Sequence, residues 1–230
     1  MRTIVILQPL YGNRERAIRS LKALIDNELK DLEAECVISV SPEGWAELKL
    51  EGEDEEVSAN FLLSRYGSPV KKAEAGKSYK GFVRAVEKDA ILVDTGCPVK
   101  IRAEGLKGLG MGTPEQLASR FGIIPFLPVE VEILESKKEV IGRFSKEQLD
   151  RFWTWKKAGT DRVIVNAATR SELKSAIKKT RHGRDIYEIE RLGLLEHAVV
   201  CRENTDGPGI VAAIGPYLKS QIGVVIGKSE

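Results

Sequence analysis

Five short β-branched segments follow one another between residues 79 and 145, and turn residues separate each from the next. Segments of this length and composition predict strands rather than helices. One helix candidate, Thr113 to Arg120, lies between the third and fourth segments, with Pro114 in its first turn. Five strands with a helix in that place favour a small Greek-key barrel. The segments are YKGFVRAV, AILVDTG, VKIRAEGL, LPVEVEIL and VIGRFS.

The segments on either side of the barrel follow other patterns. The run TIVIL (3–7) predicts a buried strand, and the apolar spacing from Ala17 to Leu32 predicts an amphipathic helix that Asn13 caps. Two strands, CVISV and WAELKL, and a helix from Val57 to Arg65 complete a βαββα module. A helix capped by Ser145 follows the barrel, and the rest of the chain has the order βαββαβ, the ferredoxin-like plan.

These patterns together predict an α+β protein made of consecutive modules. Residues 68–75 are non-periodic and contain Pro and Lys, as a linker does. No apolar run approaches the roughly 18 residues that a bilayer-spanning helix needs, so a cytoplasmic protein without membrane contact is expected. We expect a βαββα module at 1–68, a five-stranded OB-fold barrel at 73–145, a connecting helix at 146–160 and a ferredoxin-like module at 161–230.

Motifs for catalysis and for metal binding are scarce. The chain has no Walker loop and no GxGxxG, HExxH or Gly-x-Ser-x-Gly pattern. Its 3 cysteines lie far apart, and its 2 histidines argue against a dedicated zinc site. We therefore expect a protein that is not an enzyme and that holds no metal or cofactor.

Charge is distributed unevenly along the chain. Residues 1–70 hold 8 basic and 13 acidic side chains, whereas residues 151–230 hold 14 basic and 9 acidic ones. Between Arg151 and Arg184, ten basic residues stand against two acidic ones. This asymmetry favours a polyanionic partner, and a solvated basic helix face is the alternative.

The helix predicted over residues 169–180 places much of this charge on one face. Arg170, Lys174 and Lys178 recur at every fourth position, away from the apolar positions that turn inward. Like charges at that spacing destabilise an isolated helix by roughly 0.2–0.5 kcal/mol per pair, so a partner explains them better. The candidate RNA-binding ridge comprises Arg170, Lys174, Lys178, Lys179, Arg181 and Arg184.

The central segment resembles the S-one type RNA-binding domain, itself an OB-fold. The resemblance is carried by Gly76, Tyr79, Gly81, Val83, Val86, Asp94 and Gly96, and by VEVEILE followed by VIGRFS. That family places base-stacking aromatics on its second and third strands, where this chain has AILV and VKIR. A spacer or protein-docking barrel is the alternative to RNA contact. Only Tyr79 and Phe82, on the first strand, could stack on bases in place of those aromatics, whereas Arg84, Lys88, Lys100 and Arg102 could contact the RNA backbone.

The segment from Thr205 to Ile210 is a second candidate site. Its Asp206, Pro208, Gly209 and Ile210 resemble the turn that precedes a helix in ACT regulatory domains. Free backbone N–H groups at a helix N-terminus bind anions such as a ligand carboxylate. The resemblance implies a small-molecule site at Thr205, Gly207 and Gly209, and a structural turn is the alternative.

Most of the chain resembles an archaeal domain-of-unknown-function family, including the LQPLYG opening and the LGLLEHAVVC and TDGPGI segments. This resemblance implies an archaeal source and supplies no activity. A barrel followed by a ferredoxin-like module also resembles the archaeal translation initiation factor two alpha subunit, which implies association with RNA or the ribosome.

The sequence leaves three functions open. The favoured one is a non-catalytic RNA-binding protein of translation or of structured RNA (tRNA or rRNA), held mainly by phosphate contacts. The second is a protein-interaction adaptor on the ribosome or RNA polymerase, whose acidic N-terminal patch contacts a protein partner. The third is a small-molecule-sensing, ACT-like regulator. The acidic patch comprises Glu51, Glu53, Asp54, Glu55 and Glu56.

Overall fold

The computed structural model describes residues 1–218 and 220–227. Within them it contains six α-helices, twelve strands and two 3-10 helices, an α+β architecture as the sequence predicts. The chain divides into two compact units, residues 1–71 and residues 72 onward. The first holds a three-stranded sheet, and the second holds a closed barrel and a four-stranded sheet.

The N-terminal unit is an antiparallel sheet with two helices. Asn13 caps the first helix as predicted, because its side-chain oxygen accepts a hydrogen bond from the Arg16 N–H at 3.0 Å. That helix ends at Glu28 and not at the predicted Leu32, because the Leu32 N–H bonds to the Leu29 carbonyl in a tight turn. The elements are β1 (Arg2–Pro9), α1 (Arg14–Glu28), β2 (Glu35–Val40), β3 (Trp45–Glu51) and α2 (Glu55–Tyr66), and the strand order is β1-β3-β2.

Five strands close into a barrel in the second unit, which confirms the sequence prediction. Its helix begins at a capping box, in which the Thr113 hydroxyl accepts the Gln116 N–H and the Gln116 side chain accepts the Thr113 N–H. Gly81 is required in the barrel wall, since a Cβ there would lie 2.5 Å from the Asp94 carbonyl oxygen. The elements are β4 (Ser78–Val86), β5 (Ala90–Asp94), β6 (Pro98–Arg102), α3 (Pro114–Phe121), β7 (Pro128–Ser136) and β8 (Val140–Phe144), closed in the order β4-β5-β6-β8-β7.

The C-terminal module has the ferredoxin-like topology that the sequence predicts. All neighbouring strands are antiparallel, and the first and third strands of the module lie in the middle of the sheet. Two predicted limits, the helix end at Lys219 and the module end at residue 230, lie outside the described residues. The elements are α4 (Lys146–Lys157), β9 (Arg162–Asn166), α5 (Arg170–Lys179), β10 (Ile186–Arg191), β11 (His197–Cys201), α6 (Gly207–Leu218) and β12 (Gln221–Val225), with the strand order β10-β11-β9-β12.

The C-terminal sheet is covered on both faces. Successive strand residues point to opposite faces, so Val163 and Val165 of β9 pack in the cluster formed with α5 and α6. Ile164 packs on the other side, in the cluster that fills the barrel. Ala198 of β11 and Val225 of β12 join it there. The barrel and the C-terminal module therefore share one hydrophobic core.

The helix-covered side of this sheet also encloses a histidine. His197 of β11 is fully buried, and neither of its ring nitrogens has a hydrogen-bond partner within the described residues. Burial, together with the positive charges of Arg191 and Arg170, lowers the pKa of His197 from 6.5 to about 4. The folded protein therefore holds this imidazole neutral at pH values where an exposed histidine is charged.

We expect the free energy of unfolding to decrease as the pH falls from 6.5 towards about 4, because the unfolded chain then binds a proton that folded His197 does not. This loss of stability is absent well above pH 6.5. A pKa depression of this size lowers the free energy of unfolding by roughly 3 kcal/mol once the pH is below about 4. His197→Phe removes the titration and should flatten this part of the stability profile, measured by urea unfolding at several pH values.

The other histidine supplies the control for this experiment. His182→Gln leaves His197 in place and should keep the acid-dependent loss. An equal loss in His197→Phe would contradict the assignment.

Candidate nucleic-acid interface

The basic helix α5 and the edge strand β10 line a groove of about 570 Å³. The helix starts at a capping box, in which the Thr169 hydroxyl accepts the Glu172 N–H at 3.2 Å and the Glu172 carboxylate accepts the Thr169 N–H at 2.8 Å. Leu173, Ala176 and Ile177 then face the core. The opposite face of the helix is left to solvent.

Exposed cationic side chains line this groove. Within the part of the chain that the structure describes, none of them forms a salt bridge. The acidic side chain that lines the groove with them is Glu188. Five residues of the predicted ridge are therefore brought together, and the sixth, Lys179, places its ammonium 5.8 Å from the Tyr217 ring centroid. The five groove cations are Arg170, Lys174, Lys178, Arg181 and Arg184.

Arg181 has a backbone conformation that favours glycine. Its φ of 63° and ψ of 18° are left-handed, a conformation that costs most L residues roughly 1–2 kcal/mol and that glycine adopts freely. Because glycine would fit this position better, the stability of the fold does not explain the arginine. The strained backbone makes Arg181 a candidate for a functional side chain.

The groove also contains an aromatic side chain that the sequence pattern did not predict. Tyr187 of β10 lines it and is 67% exposed. A β-bulge between Ile186 and Glu188 lets both Ile186 and Ile189 turn into the core, so strict alternation fails along this strand. The Arg202 guanidinium lies 5.9 Å from the Tyr187 ring centroid. The edge of the groove therefore presents an aromatic ring with a guanidinium over it.

The barrel residues that the sequence assigns to RNA are less available. Phe82 is 6% exposed, which corrects the expectation that its ring stacks on bases. Tyr79 is half-buried, and its hydroxyl oxygen accepts the Glu74 N–H at 3.2 Å. Lys88 is exposed. The other three cations are paired with carboxylates: Arg84 with Asp94 at 3.8 Å, Lys100 with Asp89 at 3.3 Å, and Arg102 with Glu139 at 2.6 Å.

The turn at the start of α6 already holds carboxylates of the chain. Asp161 accepts hydrogen bonds from the Gly207 and Gly227 N–H groups, both at 2.9 Å. Asp206 accepts the Gly209 N–H at 3.1 Å. A ligand carboxylate at these N–H groups would meet two negative charges, so the geometry favours the structural interpretation of the turn.

Contacts within the chain also account for the other features of this turn. A Cβ on Gly207 would lie 2.8 Å from an Asp161 carboxylate oxygen and 2.9 Å from a Val224 methyl group. The Thr205 hydroxyl donates to the Asp185 carbonyl at 3.3 Å. Close packing therefore requires the glycine, and the threonine ties the turn to the start of β10.

Part of the acidic patch in the N-terminal unit is used internally as well. The Asp54 carboxylate accepts the Glu33 N–H at 2.9 Å. Glu56 pairs with Arg2 at 3.1 Å. The patch therefore presents less free negative charge than its sequence suggests, and its exposed members include Glu51 and Glu53.

The covered face of the C-terminal sheet removes one common RNA-binding surface. RRM domains bind RNA on the face of a four-stranded sheet, where aromatics stack on bases. Here the face opposite α5 and α6 packs against the barrel through Ile164 and Ala198. The α5–β10 groove is a surface of this module that combines several cations with an exposed ring.

Comparison with known proteins places the chain in a family. Three models of one family match consecutive parts of it: the DUF2110 N-terminal domain at residues 3–72, the central domain at 73–156 and the C-terminal domain at 160–226. The chain belongs to the DUF2110 family. No curated protein matches the DUF2110 chain.

A crystal structure of a protein from Thermus thermophilus is similar to the DUF2110 chain at 14% identity, with a TM-score of 0.16. The aligned region covers 96% of the DUF2110 chain and 39% of that longer protein. A similarity this weak carries no structural or functional inference.

Membrane-spanning helices and clusters of metal ligands are not found in the parts of the DUF2110 chain that are described. No helix in residues 1–218 and 220–227 has both the length and the hydropathy needed to cross a bilayer. In the same ranges, no three His, Cys, Asp or Glu side chains lie close enough together to hold a metal ion. Burial raises the pKa of the Cys36 and Cys201 thiols to about 11, which makes both poor nucleophiles.

Asp161→Ala should lower the free energy of unfolding by roughly 1–3 kcal/mol, because two backbone N–H groups lose their acceptor. Asp206→Ala removes one acceptor at an exposed turn and should cost roughly 1 kcal/mol or less. Urea unfolding followed by circular dichroism measures both changes. Wild-type stability in Asp161→Ala would show that this carboxylate does not hold the turn.

Proposed function

We propose that this DUF2110 protein binds RNA without catalysing a reaction, and that the α5–β10 groove holds the RNA phosphates. The observation that carries the proposal is the convergence of five exposed cations on one groove, where none has a salt-bridge partner among the described residues. Each phosphate that they neutralise releases condensed counterions, which supplies affinity independent of sequence.

The contrast between the groove and the barrel supports this assignment. On the barrel, Arg84, Lys100 and Arg102 each lie within 4 Å of a carboxylate, and exposed pairs of this kind contribute roughly 0–1 kcal/mol to stability. On α5, Arg170, Lys174 and Lys178 repel one another at four-residue spacing instead. A bound polyanion would offset that repulsion. Within the described residues, the fold brings no carboxylate into a salt bridge with these three side chains.

The finer parts of the proposal rest on sequence. A role in translation, a structured RNA such as tRNA or rRNA, an archaeal source, a cytoplasmic location and S-one type ancestry of the barrel stay predictions. The adaptor function stays a second candidate for the N-terminal unit, supported by the exposed carboxylates of Glu51 and Glu53. The sensor function is disfavoured, since chain carboxylates hold the N–H groups of Gly207 and Gly209.

The variant that changes Arg170, Lys174 and Lys178 to Glu should weaken binding of a labelled RNA roughly 100-fold or more at moderate salt, because attraction to phosphate becomes repulsion. The loss should be similar for RNAs of different sequence. The slope of log affinity against log salt concentration should also become shallower by roughly 2–3. Fluorescence anisotropy across a salt series measures both quantities.

A control variant carries the same change in net charge at exposed positions outside the groove, with Lys107, Lys146 and Arg151 changed to Glu. It should bind RNA nearly as the wild type does. If the groove variant retains wild-type affinity, or if the control loses as much, the groove is not the phosphate-binding surface.

Arg181→Gly should keep or raise the free energy of unfolding, by up to about 1 kcal/mol, because glycine relieves the left-handed backbone strain. The same change should weaken RNA binding and reduce the salt slope by about one. Arg181→Lys keeps the charge and should keep most of the affinity. Thermal or urea unfolding and anisotropy give the two readouts, and undiminished RNA affinity in Arg181→Gly would exclude the guanidinium from binding.

A further inference from the structure

The edge of the groove carries a feature that phosphate binding alone does not use. Tyr187 is largely exposed, although Ile186 and Ile189 on the same strand are buried. Tyr187 also lines a second recess of about 710 Å³. Tyr187 and Glu188 therefore lie where a strongly cationic groove meets a recess of more mixed charge.

We propose that Tyr187 is the stacking platform for an unpaired RNA base, so that the ligand of the groove is single-stranded or looped RNA. This inference rests on the proposed function, because the groove must hold the phosphates that bring the base to the ring.

The surroundings of the ring fit this role. Arg202 is exposed, and its guanidinium carbon lies 5.9 Å from the ring centroid. Unpaired bases bind proteins by stacking on aromatic rings and on guanidinium planes, and a cation over a ring adds to the attraction. Within the described residues Arg202 forms no salt bridge, so no carboxylate competes for it.

The recess beside the ring offers groups that match a base edge. Asn204 lines it and is exposed, in a left-handed backbone conformation with a φ of 60° that asparagine tolerates. Its amide supplies two donors and one acceptor, and among the described residues nothing satisfies them. A base that lies on Tyr187 would therefore find hydrogen-bonding groups where its edge projects.

Stacking distinguishes the classes of RNA. In an A-form duplex each base face is covered by its neighbours, so a protein ring reaches only unpaired bases. The groove cations, by contrast, attract the phosphates of either form. A contribution from Tyr187 should therefore be confined to RNA with unpaired nucleotides.

The test compares a mixed-sequence single-stranded RNA with a blunt duplex made from the same strand and its complement. Tyr187→Ala should weaken binding of the single strand about 5-fold to about 150-fold, the factor that corresponds to the loss of one stacked base. Its affinity for the duplex should not change, and the salt slope for the single strand should stay at the wild-type value, because no charge is lost. Tyr187→Phe keeps the ring and should restore most of the affinity.

The controls separate failure of this inference from failure of the proposed function. If the Glu variant of Arg170, Lys174 and Lys178 loses RNA affinity but Tyr187→Ala does not, the phosphate groove stands and the stacking platform is wrong. If Tyr187→Ala weakens single strand and duplex equally, the ring acts through the protein structure and the platform is also wrong. A polyglutamate peptide carries negative charge but no bases. If, at equal charge concentration, it displaces the single strand from the wild type as easily as from Tyr187→Ala, the groove accepts any polyanion and base stacking is excluded.

Discussion

Burial of the C-terminal sheet on both faces is the constraint on which the second unit depends. Val163, Ile164 and Val165 of β9 are all fully buried. Because both faces of the sheet are covered, the centre of β9 is a continuous apolar run without alternation. The Asn166 side-chain amide donates to the Pro125 carbonyl at 2.8 Å across the same boundary. Barrel and sheet are thus fixed to each other by packing and by a directional bond, and the groove stands on a rigid support.

The groove lies at the edge where this sheet would otherwise be vulnerable. β10 pairs with a neighbour on one side only, and an unpaired strand edge invites pairing by other chains. The bulge beside Ile186 interrupts the ladder, and the cationic side chains of α5 surround the edge. The features proposed to bind RNA therefore also discourage edge-to-edge association of two copies of the chain.

Local signals in the sequence predicted most of the fold. Asn13, Thr113 and Ser145 cap the helices assigned to them, because each cap depends on residues only three positions away. The barrel strands and the ferredoxin-like order follow from segment lengths and turn residues in the same way. Three of the groove cations, Arg170, Lys174 and Lys178, were predictable as one face of a helix, since a four-residue period places charges on one face whatever that face meets.

What the sequence did not predict depends on contacts between distant residues. The bulge that exposes Tyr187 arises from pairing with β11, and no composition rule marks it. Phe82 is buried, although strand alternation turns it away from the barrel core that its neighbour Val83 joins. Three cations of the barrel are paired with carboxylates, such as Arg102 with Glu139, 37 residues away. The carboxylate that fills the α6 turn belongs to Asp161, 46 residues before Gly207.

The placement of β9 in the middle of the sheet has a consequence for biosynthesis. Both of its neighbours, β11 and β12, are synthesised after it, and Asp161 beside it binds Gly227, 66 residues later. Until those strands emerge, β9, whose three central residues are apolar, has no partner on either edge, and Ile164 and Val225 are not yet packed in the cluster that fills the barrel. The core of the second unit is therefore complete only after β11 and β12 have been synthesised, whereas the contacts of the N-terminal unit form within residues 1–71.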